Sequence, residues 1–154
     1  MTAQTPRPAR IRRWALGGLL AGLLLAALAD AWRMAGLRAL AADWERAHRE
    51  RDLPALEGLY CWDGVPPTQR ERLRLVLIQE FELPVRSVSA ERCGALDRPQ
   101  GESQRPNLDP SGVIVVEFDS ADGLGARLLA GGPWWARPRL IVLQPSPGRP
   151  DSGS

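Results

Sequence analysis

The chain has 154 residues, of which 44% are hydrophobic and 25% are charged, and its formal net charge is +2. This length fits one domain of ordinary size rather than two. The sequence has no lysine, so a phosphate-binding loop ending in Gly-Lys and a Schiff base are both excluded. One histidine and two cysteines also exclude an ordinary four-ligand zinc site built from Cys and His alone. No cofactor is indicated.

The positive charge is concentrated at the N-terminus. Residues 1–13 hold four arginines and no acidic residue, whereas the remaining residues carry 16 arginines against 18 acidic side chains. The body of the chain is therefore close to neutral and gives no electrostatic reason to expect a nucleic-acid partner.

The sequence predicts a membrane-spanning segment after this basic tail. The 16 residues from Trp14 to Ala29 contain no charge, and as a helix they would extend about 24 Å, against a hydrocarbon core of ~30 Å. Continuing to Trp32 lengthens the helix to about 27 Å and places an indole near each membrane interface. We therefore predict a cytoplasmic tail over 1–13 and a signal-anchor helix over 14–32 in contact with membrane lipid.

The arginines also predict the orientation of this anchor. Four positive charges before the span hold the N-terminus in the cytoplasm, so the remainder lies on the other side. The Ala, Arg, Gly and Pro bias is typical of a GC-rich bacterial genome, which makes the membrane the inner membrane and the compartment the periplasm. One alternative is a cleaved signal peptide, because Ala27 and Ala29 form a small-residue cleavage pattern before Asp30. Another is a buried helix of a soluble protein, which would place four arginines beside a face that is hydrophobic all round.

Small residues recur every four positions within the span, at Gly18, Gly22 and Ala26. Such a stripe lets a second helix approach closely. A homodimer through this helix is one hypothesis for its partner.

Three helices are predicted after the span. Over 32–51, apolar residues and His48 recur in steps of three and four, and this seam favours packing against the following domain over a coiled coil. Asp52 is a predicted N-cap for a second helix that runs to Trp62 and is stopped by Asp63-Gly64. A third helix is predicted over 68–82, with its apolar residues covering one side of a sheet. The seam comprises Met34, Leu37, Ala41, Trp44 and His48, and the apolar face of the third helix comprises Leu73, Val76, Leu77 and Phe81.

Strands follow the helices. We predict strands over 85–91, 113–118, 124–130 and 134–144, with a loop over 94–112 and a disordered tail over 145–154. Helices first and strands second indicate an α+β domain over 33–144, with a curved antiparallel sheet of about four strands whose last three form a meander.

This order of elements, together with the segment LEGLYCWDGVPP, resembles the cone-shaped nuclear transport factor 2-like superfamily over roughly residues 35–144. The resemblance implies helices packed on a curved sheet around a pocket, in a superfamily that includes both enzymes and binding modules. None of its catalytic residues matches a position in this chain.

A few residues are candidates for chemistry. In an oxidising compartment Cys61 and Cys93 could form a disulfide; the alternative is two small buried thiols. Asp63 is either a pocket acid beside aromatic residues or part of an ordinary Asp-Gly turn. Glu117, in the strand VIVVEF, either points inward as a pocket carboxylate or pairs across the sheet with Arg127 or Arg139.

These observations favour a membrane-anchored periplasmic interaction or ligand-binding domain without catalysis. One alternative is an accessory subunit of an envelope assembly, such as a secretion or pilus platform, with an envelope protein as its partner. Another is a small pocket enzyme of the cone-fold type, in which Asp63 and Glu117 would be the acidic groups.

Overall fold

A computed structural model describes the backbone of residues 9–99, 104–133 and 135–145, and side chains from residue 21 onward within these ranges. The chain divides into two compact units, one ending at Arg33 and the other beginning at Met34. The fold is α+β, as predicted. Its helices are α1 (Ala9–Arg49), α2 (Leu53–Gly58) and α3 (Pro67–Glu80), and its strands are β1 (Val85–Arg92), β2 (Gln104–Pro106), β3 (Pro110–Phe118), β4 (Gly125–Gly131), β5 (Arg139–Leu140) and β6 (Leu143–Pro145).

Within the first unit, the described apolar side chains lie on the surface. Leu23, Leu24, Leu25 and Leu28 are exposed, and Trp32 is 75% exposed. Among the described residues, no helix combines the length and apolar character needed to cross a membrane, so the predicted span is not supported there. Trp14 and Gly18 lie outside the residues whose side chains are described.

The predicted stripe of small residues is only partly described. An added Cβ at Gly22 would meet no atom within 4 Å, and Ala26 is exposed. The homodimer remains a prediction.

In the second unit, the end of α1 supplies much of the hydrophobic core. The predicted seam is confirmed: Leu37, Ala41, Trp44 and His48 are buried, and Met34 packs against the core. Leu40 and Ala47 are buried as well, so the apolar face is wider than a single seam. These residues pack against the sheet rather than forming a coiled coil. Their partners in the core are Leu56, Tyr60, Leu77, Ile114, Val116, Phe118, Ala130, Leu140 and Val142.

A tight turn joins α1 to α2. Arg51 has a positive φ of 54°, and the N–H of Asp52 donates to the carbonyl of Ala47 at 2.9 Å, which is the 6→1 bond of a Schellman motif. As predicted, Asp52 caps α2, its Oδ1 accepting from the N–H of Ala55 at 2.9 Å. This reversal starts the chain on its return toward the sheet.

The second helix is shorter than predicted. It ends at Gly58 rather than Trp62, because the backbone beyond it pairs with β5 instead of continuing the helix. The N–H of Cys61 donates to the carbonyl of Leu140 at 2.9 Å, and the N–H of Leu140 donates to the carbonyl of Leu59 at 2.8 Å. Tyr60 thereby forms a parallel bridge with Leu140.

The main sheet has four strands in the order β1-β3-β4-β5, with antiparallel pairing throughout. The predicted four-strand sheet and the β3-β4-β5 meander are therefore confirmed. Along β3, Ile114, Val116 and Phe118 face the core, which the alternation of side chains along a strand explains.

The C-terminal run differs from its prediction as one strand over 134–144. It forms two short strands that lie in different sheets: β5 pairs with Ala130 and Gly131, whereas β6 pairs with β2. The predicted loop over 94–112 also holds β2, a short 3-10 helix at Ala95–Asp97 and the start of β3. Between the strands of the last run, the N–H of Ile141 donates to the carbonyl of Leu129, and the N–H of Val142 donates to Oδ1 of Asn107.

Gly131 lies where β4 closely approaches the start of β3, and a substitution there tests this contact. A Cβ added there would lie 2.2 Å from the backbone oxygen of Asp109, so Gly131→Ala should lower the free energy of unfolding by about 1–3 kcal/mol. Gly58→Ala is the control, since its Cβ would meet nothing within 4 Å, and it should change stability by under ~1 kcal/mol. Urea unfolding of the full-length chain, followed by tryptophan fluorescence, measures both; equal effects would contradict the prediction.

Candidate functional site

One cavity, of about 650 Å³, stands out in the second unit. One face of α3 forms a wall of it, with Gln69, Arg72, Leu73, Val76, Leu77 and Glu80 spaced by three and four residues. From Gln69 to Glu80 this face extends about 16 Å along the helix. The volume lies within the range of small-molecule sites.

The opposite wall comes from the strands and the connections around them. It consists of Arg127, Leu128 and Leu129 of β4, the segment Ile141–Leu143, Gln104 of β2, Tyr60, and residues Leu96–Pro99 after β1. Apolar side chains predominate among these residues. Two apolar lining residues are exposed, one on each wall: Leu96 is 89% exposed, and Val76 on α3 is 45% exposed. The cavity is therefore a mainly apolar site that is open to solvent.

Glu80 and Tyr60 place two ionisable groups at the cavity. Burial raises the pKa of the Glu80 carboxyl above its ordinary value. The pKa of the buried Tyr60 hydroxyl is also raised, first by burial and then by the negative charge of Glu80. At neutral pH the phenol is therefore a neutral hydrogen-bonding group.

Gln69 fixes the other end of the α3 face. Its Nε2 donates to the carbonyl of Leu143 at 2.5 Å, which ties α3 to β6. Within the described part of the chain, its buried Oε1 accepts no hydrogen bond. An acceptor without a partner raises the free energy of the folded state unless a donor reaches it.

Arginines supply the positive charge around the cavity. Arg127 is already paired, with Asp97 at 2.7 Å and with Glu91 at 3.1 Å. The pKa of the Asp97 carboxyl is lowered, first by the hydrogen bond from the Gly94 N–H and then by the contact with Arg127. In the described ranges, Arg72 and Arg98 have no ion pair and are exposed. Two uncompensated positive charges thus line an apolar cavity.

His48 contacts the last residue of α3, the helix that forms one wall of the cavity. Its Nε2 lies 2.9 Å from the backbone carbonyl of Glu80, and its ring stacks on Trp44 at a centroid distance of 4.9 Å. Phe81 and Phe118 are close to the same ring. Burial lowers the pKa of His48, so the neutral imidazole is the form that fits this position, where it holds the end of α3.

The residues predicted from sequence as a disulfide do not meet. Cys61 and Cys93 are both free thiols. Cys61 lies beside β5, whereas Cys93 follows β1, at the other end of the strand order. Neighbouring strands are ~4.8 Å apart, so three strand spacings far exceed the Cα separation of about 4.4–6.8 Å that a disulfide needs. The Cys61 thiol instead donates to Oδ2 of Asp63 at 3.4 Å.

The two predicted pocket acids lie outside the cavity. Asp63 is exposed in the turn before α3, where Gly64 has a φ of 72°, as the Asp-Gly turn alternative requires. Glu117 is also exposed, because the core face of β3 carries Ile114, Val116 and Phe118. Its Oε2 accepts from the Ser87 hydroxyl at 2.8 Å, and the expected pairing with Arg127 or Arg139 is not formed.

The sequence analysis named Leu73, Val76 and Leu77 as an apolar helix face, but it did not predict that they line a cavity, and it missed the polar lining residues Gln69, Arg72 and Glu80. The apolar residues of α3 nearly encircle the helix: Leu73, Leu75, Val76, Leu77 and Ile78. These are more apolar side chains than one buried face needs, and this pattern could have indicated a second apolar surface on the helix. No described group of three or more His, Cys, Asp or Glu side chains could hold a metal ion.

Comparison of the chain with protein-family models and with curated protein sequences finds no match.

Glu80 should reduce stability at neutral pH. Its folded pKa is raised by burial, so the folded state holds more protons than the unfolded chain from about pH 4.5 upward, and stability falls as the pH rises through the folded pKa. Glu80→Gln removes this charge, so the variant should be more stable than the native chain at pH 7–8 and equally stable near pH 4.

Urea unfolding at both pH values measures the difference. The lowered pKa of His48 makes stability fall as the pH drops below about 6.5, but this effect is common to both proteins and cancels. Glu71→Gln, at an exposed position of α3, controls for the loss of one negative charge. A gain for Glu80→Gln that is equal at pH 4 and pH 8 would contradict the assignment.

Proposed function

We propose that this chain is a single-pass protein anchored in a bacterial inner membrane, and that its periplasmic α+β domain binds a small ligand without catalysis. The observation that carries the binding function is the 650 Å³ cavity between α3 and the strands. Apolar walls with a few polar groups are typical of small-molecule sites. The membrane placement is supported by the sequence, through the uncharged run from Trp14 to Ala29 and the four arginines before it.

Binding is preferred over catalysis because of what lines the cavity. The enzyme hypothesis depended on Asp63 and Glu117, and both lie elsewhere on the surface. Among the described lining residues, Glu80 and Tyr60 are acidic groups whose pKa values are raised, and no nucleophile with an adjacent base accompanies them. Glu80 and Tyr60 can therefore form hydrogen bonds with a bound molecule.

The proposal extends to the cone-shaped superfamily named above. Three features support it: helices that precede the strands, a four-strand antiparallel sheet, and a cavity between α3 and the strands. Binding modules are frequent in that superfamily, which accords with a non-catalytic role.

Filling the cavity should abolish ligand binding. Val76 lines the cavity and is 45% exposed, so Val76→Trp places an indole in it without opening the core. Leu75→Trp is a matched control, because Leu75 is the adjacent residue of α3, is 61% exposed and does not line the cavity. Titration of the full-length chain in lipid nanodiscs with the fluorescent probe anilinonaphthalene sulfonate measures binding.

We expect Val76→Trp to weaken binding of the probe at least tenfold and Leu75→Trp to leave it within twofold. Partition of the probe into lipid is the same for both variants and therefore cancels. Equal binding by the two variants would show that the cavity is not the site.

The anchor is tested separately. Membrane fractionation of the producing cells, followed by N-terminal sequencing, should find the chain in the membrane with its first residues retained. A mature chain that begins near Asp30 would instead show a cleaved signal peptide.

A further inference from the structure

The cavity is long, and its charges are distributed unevenly along it. On α3, Arg72 and Glu80 are separated by eight residues, or about 12 Å. Leu73, Val76 and Leu77 lie between them on the same face. A positive group and an acidic group are thus separated by an apolar surface.

Two of the arginines at the cavity have no acidic partner among the described residues. The carboxylate of Asp97 is satisfied by Arg127 and by the Gly94 N–H. In the described chain, Arg72 and Arg98 line the cavity without an acidic partner. Among the described arginines that line the cavity, Arg127 is therefore compensated by Asp97 and Glu91, whereas Arg72 and Arg98 are not. The potential beside these two arginines favours a negative group.

We propose that the ligand is a single-chain amphiphile, an acyl chain that carries an anionic group, bound with its chain along the apolar face of α3 and its anionic group at Arg72 and Arg98. This assignment rests on the proposed binding function and specifies its ligand. The apolar walls exclude a small, fully hydrophilic anion as the best ligand. Glu80 repels an anionic group from its own end of the face, which sets the direction of the chain.

Arginine suits this role for a physical reason. Its planar guanidinium donates two parallel hydrogen bonds to a carboxylate or a phosphate. Both anions occur on acyl chains, in free fatty acids and in lysophospholipids. Both kinds of ligand carry an anion at the end of a single acyl chain. The experiment below distinguishes the fatty acid from the lysophospholipid.

The test compares ligands of equal chain length and different charge. Displacement of anilinonaphthalene sulfonate from the full-length chain in nanodiscs, below the micellar concentration, gives the affinities of dodecanoate, dodecanol and dodecyltrimethylammonium. We expect dodecanoate to bind about tenfold more tightly than dodecanol, and the cation to bind most weakly. The same measurement with lauroyl lysophosphatidylglycerol distinguishes a lipid headgroup from a free carboxylate as the anion.

Arginine variants test the position of the anion. Arg72→Gln with Arg98→Gln should remove the preference for dodecanoate over dodecanol. The matched control is Arg86→Gln with Arg139→Gln, which removes the same charge from exposed arginines that do not line the cavity. Replacing Arg72 and Arg98 by lysine keeps the charge and should keep part of the preference, which separates loss of the anion site from loss of folding.

The outcomes separate this inference from the proposed function. Equal binding of dodecanoate and dodecanol, or an equal loss in the control pair, would overturn the amphiphile assignment while leaving a cavity that Val76→Trp blocks. Tighter binding of the cation would overturn it too. If Val76→Trp leaves every ligand unaffected, the cavity is not the site and both proposals fail.

Discussion

The second unit depends on burying the wide apolar face at the end of α1. Leu37, Leu40 and Trp44 are almost fully buried there, against Ile114 and Val116 of β3. Hydrophobic burial at ~25 cal/mol per Å² makes such a contact the largest favourable contribution available to a domain of this size. The approach is close enough that a Cβ at Gly112 would lie 2.3 Å from Cδ1 of Leu37. The helix and the sheet therefore require each other.

The cavity follows from this arrangement. Because α1 covers much of the core face of the sheet, α3 contributes only one fully buried side chain among its described residues, Leu77. The two-residue strand β5 pairs with β4 only at Ala130 and Gly131. Leu128 and Leu129, earlier in β4, line the cavity instead. A short fourth strand and an incompletely buried helix thus leave an apolar space between them, with arginines around it.

Several polar groups around this space are held by neighbouring elements. His48 of α1 lies against the carbonyl of Glu80, and Gln69 of α3 is bound to β6. Arg127 of β4 is fixed by Asp97 and Glu91. Side chains fixed in this way lose little further entropy when a ligand binds. These three side chains are therefore preorganised by contacts between elements that are distant in sequence.

The sequence predicted the features that depend on local pattern. The apolar period of α1, the Asp52 cap, the position of α3 and the β-branched strand β3 all follow from steric and hydrogen-bonding preferences within a few residues. The sequence-based prediction placed the end of α2 too late and gave one strand where the chain forms two. The reason is that Leu59–Cys61 pairs with Leu140, about eighty residues away. No local preference encodes such a pairing.

By itself, the sequence determined the class of fold, the helical core face and the charge asymmetry of the N-terminus, since each is a property of neighbouring residues. Only the tertiary structure decided which acids face the cavity, excluding Asp63 and Glu117 and bringing in Glu80 and Asp97. It also separated Cys61 from Cys93 by the order of the strands. The physical reason is that sheet register and strand order are set by contacts across the whole chain, and a shift of one residue exchanges the two faces of a strand.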